Sequence, residues 1–426
     1  MKKSCLVLTL ALLLLASCST TTKDFVSDYT LSQEISIEEK LEYYGGRNAT
    51  VDIPEIYLEG DLWLERMTEL VSEAEDYILI STFLGSSCES LETFYKTLMA
   101  KAEEGVDVYF IMDGTSSYDM TESQFFMTPL YFLRDAGVHL LEYAPLSAMR
   151  LINPLSVVYR DHRKLMVIDG KIAAIGGMNI NYISLGAGDR NQDDSMYVFQ
   201  STTLCKAFVS EFVKIWNASS VEKISVGDFA FYDSQDGAYD AWLFNRGTGS
   251  NASISGMYGS LFAEAKESIK LFPYLPVLNE DMEKALKLAS ERGVDVDIVL
   301  PIDTRGYAQG GLAYKFPDLI EATGAEFSVV DVDSRTGEVL PLQHEKLLVI
   351  DDRFVVIGSA NFNYRSMELS YELALVIDSP EFARIMSSHF DDVKEFRTYT
   401  LTPELADEMK EEFSNIFAYL FMYYGG

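Results

Sequence analysis

Two segments of the chain, HRKLMVIDGKIAAIGGMN at residues 162–179 and HEKLLVIDDRFVVIGSAN at residues 344–361, share one pattern that decides the fold. Nine of their eighteen positions are identical, and no gap is needed to align them. Each segment begins with a histidine, continues through a short apolar run and ends at an asparagine. A pattern repeated at this length indicates that the chain contains two copies of one structural unit.

Matches upstream of the two histidines extend the repeat over most of the chain. EEGVDVYFIM at residues 103–112 matches ERGVDVDIVL at residues 291–300, and AEDYILISTF at residues 74–83 resembles AKESIKLFPY at residues 265–274. These short apolar runs have the composition of buried strands, and stretches with helical spacing lie between them. Alternation of this kind predicts an α/β architecture in both halves.

The composition is that of a globular protein with an unusual charge. The 426 residues include 34 Lys and Arg against 66 Asp and Glu, a formal net charge of −32. A surface this acidic repels DNA and RNA, which are bound through a basic footprint. It also repels anionic membranes, so contact with lipid requires an apolar or covalent anchor.

The N-terminal sequence MKKSCLVLTLALLLLASC, residues 1–18, has the features of an export signal. Two lysines precede an eleven-residue run that is apolar except for Thr9, which suits a signal peptide and is short for a membrane span. Its end, Leu-Ala-Ser-Cys, resembles the cleavage site of bacterial lipoproteins, in which the cysteine is lipidated. We therefore expect lipid on Cys18, with a plain signal peptide or a short anchor as the alternative.

The sequence predicts five parts, separated where the composition changes. Residues near 233–237 and 247–256 are rich in Gly, Ser, Asn and Asp, which places a boundary between the halves near residue 248. The C-terminal run IFAYLFMYY is strongly aromatic, and we expect it to pack on the protein, with insertion into a lipid interface as the alternative. The parts are a signal peptide at 1–17, a lipidated tether at 18–48, a first domain at 49–247, a second domain at 248–398 and a C-terminal amphipathic, aromatic segment at 399–426.

The two repeated segments place a lysine two residues after each histidine, at His162 and Lys164 and at His344 and Lys346. On an extended segment, side chains two residues apart leave by the same face. Burying such groups is costly unless they have partners, so their duplication predicts one shared site. Such a site suits a phosphodiester, because ammonium groups neutralise the developing charge while one imidazole attacks phosphorus and the other protonates the leaving oxygen.

The doubled HxKxxxxD pattern, followed by Gly-Gly or Gly-Ser and then Asn, resembles the phospholipase D superfamily. RDHRKLMVIDGKIAAIGGMNI in the first half and HEKLLVIDDRFVVIGSANFNYRS in the second are most similar to bacterial cardiolipin synthases. The resemblance spans about residues 50–395. It implies two homologous phospholipase D-like α-β-α sandwich domains, related by a pseudo-twofold axis, with one active site between them.

The resemblance also implies roles for individual residues. His162 would be the nucleophile that forms a phosphohistidine, and His344 the general acid and then the base, although the residues alone leave the reverse assignment open. Asp169 and Asp351 complete the motif and are placed with the histidines and lysines among its catalytic residues, although they are expected to support the strand ends rather than to react. The residues expected to bind the phosphate are Lys164, Lys346, Asn179 and Asn361.

Each histidine also requires a carboxylate that fixes its tautomer. In the second half, Glu372 matches the family's position for this acid, and Ser359 matches the family's serine. In the first half, Asp194 is the best match, with Asp193 as its rival, and Gly177 stands in the place of the serine.

Together these features predict a phosphodiesterase or phosphatidyltransferase acting on membrane phospholipids such as phosphatidylglycerol. No metal or cofactor is implied, because the two histidine–lysine pairs fill the role of a cation. The expected location is the bacterial cell envelope, facing the periplasm or the surface. A nuclease of the same superfamily and a non-catalytic surface binding lipoprotein are the alternatives, and the oligomeric state is left open.

Two cysteines remain in the chain beyond the predicted lipidation site. Cys88 and Cys205 either form a disulfide in an oxidising compartment or are two buried thiols. The sequence does not distinguish between these two possibilities.

Overall fold

The computed structural model describes most of the two repeated halves and the C-terminal helices. The predicted signal peptide and Cys18 lie outside the described residues. Within the described part, no helix is long and apolar enough to cross a bilayer. The described ranges are 35–118, 130–145, 159–185, 192–232, 237–247, 250–301 and 306–424.

The first half forms a seven-stranded mixed sheet with helices on both faces. Its helix α3 ends at Gly105, whose φ of 99° is the left-handed conformation that glycine adopts without strain, and the matching Gly293 ends a helix in the second half at a φ of 87°. The elements are α1 Ile37–Tyr43, β1 Arg47–Val51, β2 Glu55–Tyr57, α2 Gly60–Glu73, β3 Tyr77–Thr82, α3 Glu92–Glu104, β4 Asp107–Asp113, β5 His139–Tyr143, β6 Leu165–Ile168, β7 Ile172–Gly176, β8 Gln192–Asp193, β9 Met196–Gln200 and α4 Thr202–Ser219.

The second half forms a nine-stranded sheet and ends in two further helices. A π-helical turn, Arg365–Leu369, precedes the strand that bears Glu372. The elements are β10 Tyr239–Arg246, α5 Ile254–Glu264, β11 Ser268–Pro273, α6 Glu280–Glu291, β12 Asp295–Leu300, α7 Gly306–Thr323, β13 Glu326–Val330, β14 Leu342–Gln343, β15 Lys346–Ile350, β16 Phe354–Gly358, β17 Glu372–Asp378, α8 Pro380–Arg397, β18 Thr398–Thr400, α9 Pro403–Phe413 and α10 Ile416–Tyr424.

The two sheets share one strand order, which confirms the predicted α/β class and the two-domain repeat. The first sheet runs β2-β9-β7-β6-β3-β4-β5, and the second contains the same series as β10-β17-β16-β15-β11-β12-β13. Strand β10 is therefore the counterpart of β2 and pairs only with strands of the second sheet among its described neighbours. The domain boundary near residue 248 stays a prediction, and this pairing favours one that lies before β10.

The described residues form five layers around three apolar cores. One core lies between the first sheet and its outer helices α2 and α3, and another between the second sheet and α5, α6 and α7. The third contains α4 and α8 together with the inner faces of both sheets. The two sheets therefore share the helical layer between them, which holds the halves in one fixed arrangement.

The end of the predicted tether differs from the prediction. Helix α1 begins after Ser36, whose side chain caps it, and buries Ile37 and Leu41 in the core of the second half. Strand β1 then pairs with β10 at the edge of the second sheet. These apolar contacts and strand hydrogen bonds explain why residues 37–48 are ordered structure rather than a tether.

The two cysteines and the aromatic C-terminal segment were the remaining open predictions outside the site. Cys205 lies in the middle core and Cys88 packs on the outer core of the first half, so the first sheet separates the two thiols and they do not pair. Helix α10 buries Ala418 and Met422 against the second half, while Phe417 is 70% exposed. The aromatic segment therefore packs on the protein, as expected, and presents Ile416 as well as Phe417 to solvent.

Candidate active site

The two halves meet where each repeated segment approaches the residues that precede a strand of the other half, β17 for His162 and β9 for His344. The amide of His162 donates to the carbonyl of Tyr371 (3.0 Å), and the amide of His344 donates to the carbonyl of Asp193 (2.7 Å). Tyr371 and Asp193 are the residues immediately before Glu372 and Asp194. The backbone therefore brings each histidine beside the acid of the opposite half, in the same way twice.

His162 is held by Glu372. Nδ1 of the imidazole lies 3.1 Å from Oε2 of the carboxylate, and both side chains are buried. The hydroxyl of Ser359 donates to the same oxygen at 2.6 Å. Because an ionised carboxylate only accepts, the proton of a neutral His162 sits on Nδ1, and the lone pair of Nε2 remains for chemistry.

His344 is held by Asp194 and not by the rival candidate Asp193. Nδ1 of His344 forms a short hydrogen bond with Oδ2 of Asp194, whose other oxygen accepts the amide of Ser195 at 2.8 Å. The side chain of Asp193 turns away and meets Arg397 instead. Sequence reasoning found both acids but not the exchange between halves, because the motif carries no information on how the two domains dock.

The two lysines lie beside the imidazoles, as the spacing predicts. Nζ of Lys164 donates to the carbonyl of His162 at 2.6 Å, and Nζ of Lys346 donates to the carbonyl of His344. Nζ of Lys346 also lies 2.8 Å from Nδ1 of His344 and 3.8 Å from Oδ2 of Asp194. Both ammonium groups are buried, so the site concentrates positive charge where an anion is expected.

Burial lowers the pKa values of all four groups. It lowers the pKa of His162 well below its ordinary value, assisted by the charge of Lys164, and that of His344 to about 4, assisted by Lys346. It also lowers the pKa of Lys164 to about 7 and that of Lys346 to about 8. Near neutral pH the site without substrate therefore holds neutral imidazoles and ammonium groups that release protons easily.

The two orienting acids respond differently to the same depth of burial. Burial raises the pKa of Glu372, and Lys164 and Ser359 only partly oppose the rise. Burial acts in the same direction on Asp194, but Lys346 and His344 outweigh it and lower the pKa of that carboxyl. Asp194 is therefore the more firmly ionised of the two and the better stabiliser of an imidazolium.

An aromatic ring packs against each histidine, and sequence reasoning missed both rings. Phe83 lies edge-on to His162 at 4.7 Å between centroids, and Tyr274 lies 4.1 Å from His344. Nζ of Lys164 lies 5.3 Å from the Phe83 ring and Nζ of Lys346 lies 4.7 Å from the Tyr274 ring. The signal was present in the sequence, because Phe83 and Tyr274 end the matched segments at residues 74–83 and 265–274.

The two asparagines predicted to bind phosphate differ in their hydrogen bonding. Oδ1 of Asn179 accepts the amide of Leu84 at 3.2 Å. Oδ1 of Asn361 is buried and has no hydrogen-bond partner among the residues that the structure describes. Both asparagines end the turn that follows the second strand of the motif, which brings them back towards the start of the first.

The two motif aspartates lie away from the reaction centre. The carboxylate of Asp169 accepts the amides of Glu75, Asp76 and Tyr77, and that of Asp351 accepts three amides at the start of β11. Each stands seven residues beyond its histidine on an extended segment, roughly 20 Å away. Their place among the catalytic residues is therefore corrected, because they anchor the neighbouring strand.

A buried polar network behind His162 was also missed by sequence reasoning. Arg160 is paired with Asp113, and Arg163 forms two hydrogen bonds with Asp161, at 2.8 and 2.9 Å. The amide of Asp161 in turn donates to Asp113 at 2.9 Å.

In the described ranges, no three His, Cys, Asp or Glu side chains are grouped so as to hold a metal ion.

A family model described as "Cardiolipin synthase, PLD-like domain" matches residues 67–216 and 259–394. A cardiolipin synthase of Alkalihalophilus pseudofirmus is 26% identical over 347 residues, 77% of this chain and 62% of that protein. A cardiolipin synthase of Listeria monocytogenes is 28% identical over 360 residues, 82% of this chain and 70% of that protein. The chain thus spans between 62% and 70% of the length of these relatives.

Two solved structures resemble the fold. A phosphatidylserine synthase from Haemophilus influenzae superposes with a TM-score of 0.67 and 14% sequence identity, covering 91% of this chain and 99% of that one. A polyphosphate kinase from Porphyromonas gingivalis superposes with a TM-score of 0.54 and 13% identity, covering 83% of this chain and 49% of that one. At these identities, the likeness supports the two-domain fold alone.

Proposed function

The chain belongs to the cardiolipin synthase, PLD-like domain family, and from this membership we propose that it is a phosphatidyltransferase that acts on glycerophospholipids through a phosphohistidine. One observation carries the proposal. Two imidazoles are each held at Nδ1 by a buried carboxylate of the opposite half, and each has a lysine ammonium beside it. This arrangement supplies a nucleophile, a proton carrier and charge for one phosphodiester.

We assign the nucleophile to His162. Its pKa lies well below its ordinary value, and the acid that holds it has a raised pKa, so the imidazole is neutral when substrate arrives. Nε2 attacks phosphorus, a phosphorus–nitrogen bond forms, and the bond from phosphorus to the leaving alcohol oxygen breaks. The two lysines, with Asn179 and Asn361, would hold the non-bridging oxygens during this step.

We assign the proton transfers to His344. The anionic phosphate raises the pKa of this imidazole once bound, and the ionised Asp194 stabilises the imidazolium. His344 then gives its proton to the leaving oxygen. In the second step its neutral Nε2 accepts the proton of an acceptor alcohol or water, whose oxygen attacks phosphorus as the bond to His162 breaks.

The first experiment uses the purified protein with vesicles of phosphatidylglycerol and phosphatidylethanolamine, in the presence of EDTA, and lipid mass spectrometry as the readout. Cardiolipin formed by the wild type and not by His162→Ala or His344→Ala is the expected result. Phosphatidic acid in its place would make the protein a phospholipase D. No product from folded protein would contradict the lipid proposal and turn the search to nucleic acids or to a binding role.

A second experiment separates the roles of the two histidines. A phosphatidyl ester of p-nitrophenol needs no protonation of its leaving group, so His344→Asn should still release nitrophenolate in one burst and retain the lipid on His162. Mass spectrometry of peptides that contain His162 measures the adduct. An adduct on His344 in the His162→Asn protein would reverse the assignment.

We also propose that lipid on Cys18 anchors the enzyme at a membrane of the bacterial cell envelope. The export signal and the cysteine that follows it support this proposal. Cys18→Ser should move the protein from the membrane fraction to the soluble fraction while leaving its turnover of dispersed substrate unchanged. Equal membrane retention of the variant and the wild type would exclude the anchor.

A further inference from the structure

Two arginines near the site occur in one copy each, although the segments that bear them are repeated. Arg160 stands two residues before His162, and Leu342 occupies the same place before His344. Arg365 stands four residues after Asn361, and Ile183 occupies the equivalent place in the first half. The fold therefore accepts aliphatic side chains at both positions, which means that it does not require the arginines.

The docking of the halves brings both arginines to one histidine. The carbonyl of Arg160 accepts the amide of Tyr371 at 2.8 Å, on the side of His162 and Glu372. Arg365 begins the π-helical turn that leads to the same glutamate. The aliphatic counterparts meet on the other side, where Leu342 pairs with Gln192 and the amide of Gln192 donates to the carbonyl of Ile183.

The guanidinium of Arg365 is buried with hydrogen-bond donors to spare. The residue is 5% exposed, and its Nε and Nη2 have no partner within the described ranges. Its Cζ lies 5.6 Å from the centre of the Phe83 ring, which is itself in contact with His162. The carboxylates of Glu372 and Asp113 offset part of its charge, but neither accepts from its Nε or Nη2, and unused buried donors are costly unless an anion binds them.

The charge of Arg365 acts on the groups of the reaction centre. Its charge is among the causes that lower the pKa of His162 and that of Lys164. Arg160 adds positive charge from the same side, with its own Nη1 unpaired in the described part of the chain. The histidine flanked by cations is therefore the one on which a bound phosphoryl group is best stabilised.

We propose that Arg365 donates to a non-bridging oxygen of the phosphoryl group while that group is attached to His162. This inference rests on the proposed function and deepens it, because it adds a phosphate-binding residue that only one half supplies. Guanidinium forms two directed hydrogen bonds with phosphate oxygens, which lysine ammonium does not. The asymmetry then follows from the chemistry: one histidine carries phosphorus, and the other moves protons.

The test compares Arg365→Ala with Arg353→Ala, a matched change at an exposed arginine paired with Asp378. We expect Arg365→Ala to slow the burst of bis(p-nitrophenyl) phosphate cleavage about 100-fold and to weaken binding of inorganic phosphate about tenfold. Added guanidinium ion should restore part of the lost burst rate in Arg365→Ala only. Recovery of this kind reports a missing group at the reaction centre rather than a disturbed fold.

Arg365→Ile controls for loss of folding, because isoleucine is the residue in the equivalent place of the first half, Ile183. Its thermal unfolding should match that of the wild type while its burst rate stays low. Burst rates and phosphate binding equal to those of Arg353→Ala, or a loss that guanidinium leaves unchanged, would overturn the inference. A wild type that binds phosphate through Arg365 and converts no phospholipid would contradict the proposed function and leave this inference standing.

Discussion

The two halves carry the same pair of histidine and lysine, but a different acid holds each histidine, and a different residue lies beneath each acid. On one side Glu372 reaches His162 and is braced by the hydroxyl of Ser359. On the other side Asp194 reaches His344 over Gly177, where an added Cβ would lie 2.1 Å from Oδ1 of Asp194. The shorter acid thus lies over a position without a side chain, and the longer acid lies over a serine that binds it.

This difference shows how a repeated backbone produces two chemically distinct imidazoles. The acid on the His162 side has a raised pKa, and the acid on the His344 side has a lowered one. An ionised carboxylate stabilises an imidazolium, whereas a carboxylate that is harder to ionise favours the neutral ring. The histidine held by the shorter acid, His344, therefore suits a proton carrier, and the histidine held by the longer acid, His162, suits a nucleophile.

The largest expected effect comes from neutralising the two acids one at a time. Asp194→Asn and Glu372→Gln should each reduce turnover of phosphatidylglycerol about 10²- to 10⁴-fold, since a wrongly held imidazole loses its productive tautomer. With a p-nitrophenol ester, the loss in Asp194→Asn should shrink, because this leaving group needs no proton. The loss in Glu372→Gln should not shrink.

The measurement is the rate of product formation for the two esters at equal substrate concentration. Asp193→Asn is the matched control, because its side chain faces Arg397 and not His344. A leaving-group dependence that is the same in Asp194→Asn and Glu372→Gln would show that the two acids are equivalent and would remove the distinction between the halves.

Gly177→Ser copies the serine of the second half into the first and should cost about 100-fold in turnover. The new side chain meets Asp194 at a distance that no packing tolerates, and a displacement of about 1 Å at a catalytic group has an effect of this size. The adduct on His162 with a nitrophenyl ester should still form, because only the His344 side is disturbed. An unchanged rate would mean that Asp194 has room to move without loss.

Much of the fold could be predicted from the sequence, because the same order of apolar strands and helices occurs in two aligned copies. The apolar runs after His162 and His344 are strands β6 and β15, and the GVDV segments lead into β4 and β12. The strand β10 was harder to place, since its pairing with β17 depends on tertiary contacts. The structure of residues 37–48 escaped prediction for the same reason, because a polar segment was stabilised by burial of Ile37 and Leu41.

The candidate site could be predicted in its parts but not in its connections. Residue types and spacing identified the histidines, lysines and both acids. The partner of each acid lies in the other half, and the link passes through backbone hydrogen bonds to Tyr371 and Asp193 that no local pattern encodes. The role that we propose for Arg365 could not be predicted either, since it rests on the burial of the guanidinium with unpaired donors.

Ser359→Ala removes the hydroxyl that donates to Glu372, which has no counterpart in the first half because Gly177 stands there. We expect a loss of about tenfold in turnover. The hydroxyl donates to Glu372 at 2.6 Å, and a hydrogen bond to a charged group has a value of this order. This hydrogen bond opposes the raised pKa of Glu372, so its loss raises that pKa further. The acid limb of the pH–rate profile should therefore move to higher pH, and a limb that stays in place would contradict the role of Ser359.

The two lysines should set the alkaline limb of kcat/KM, which reports on the enzyme without substrate. The pKa values of Lys164 and Lys346 are lowered to about 7 and about 8, and only the protonated forms bind phosphate. The value of kcat/KM should thus fall as pH rises through this range. Lys164→Arg stays charged and should extend activity to higher pH, whereas Lys96→Arg, at an exposed ion pair, should leave the profile unchanged.

The motif aspartates provide the smallest effect on catalysis and a last contrast between the halves. Asp169→Ala should lower the free energy of unfolding by about 3 kcal/mol, because three amides lose their acceptor and alanine is strained at a φ of 51°. Asp351→Ala should cost less, about 2 kcal/mol, because alanine is equally strained at its φ of 53° but two of its amide contacts are exposed and water replaces them. Urea unfolding measures both values. The activity of each folded variant should remain within about twofold of the wild type, because these carboxylates bind backbone far from the histidines and stabilise the strands without entering the chemistry. A large loss of turnover in a fully folded variant would return these aspartates to the catalytic residues.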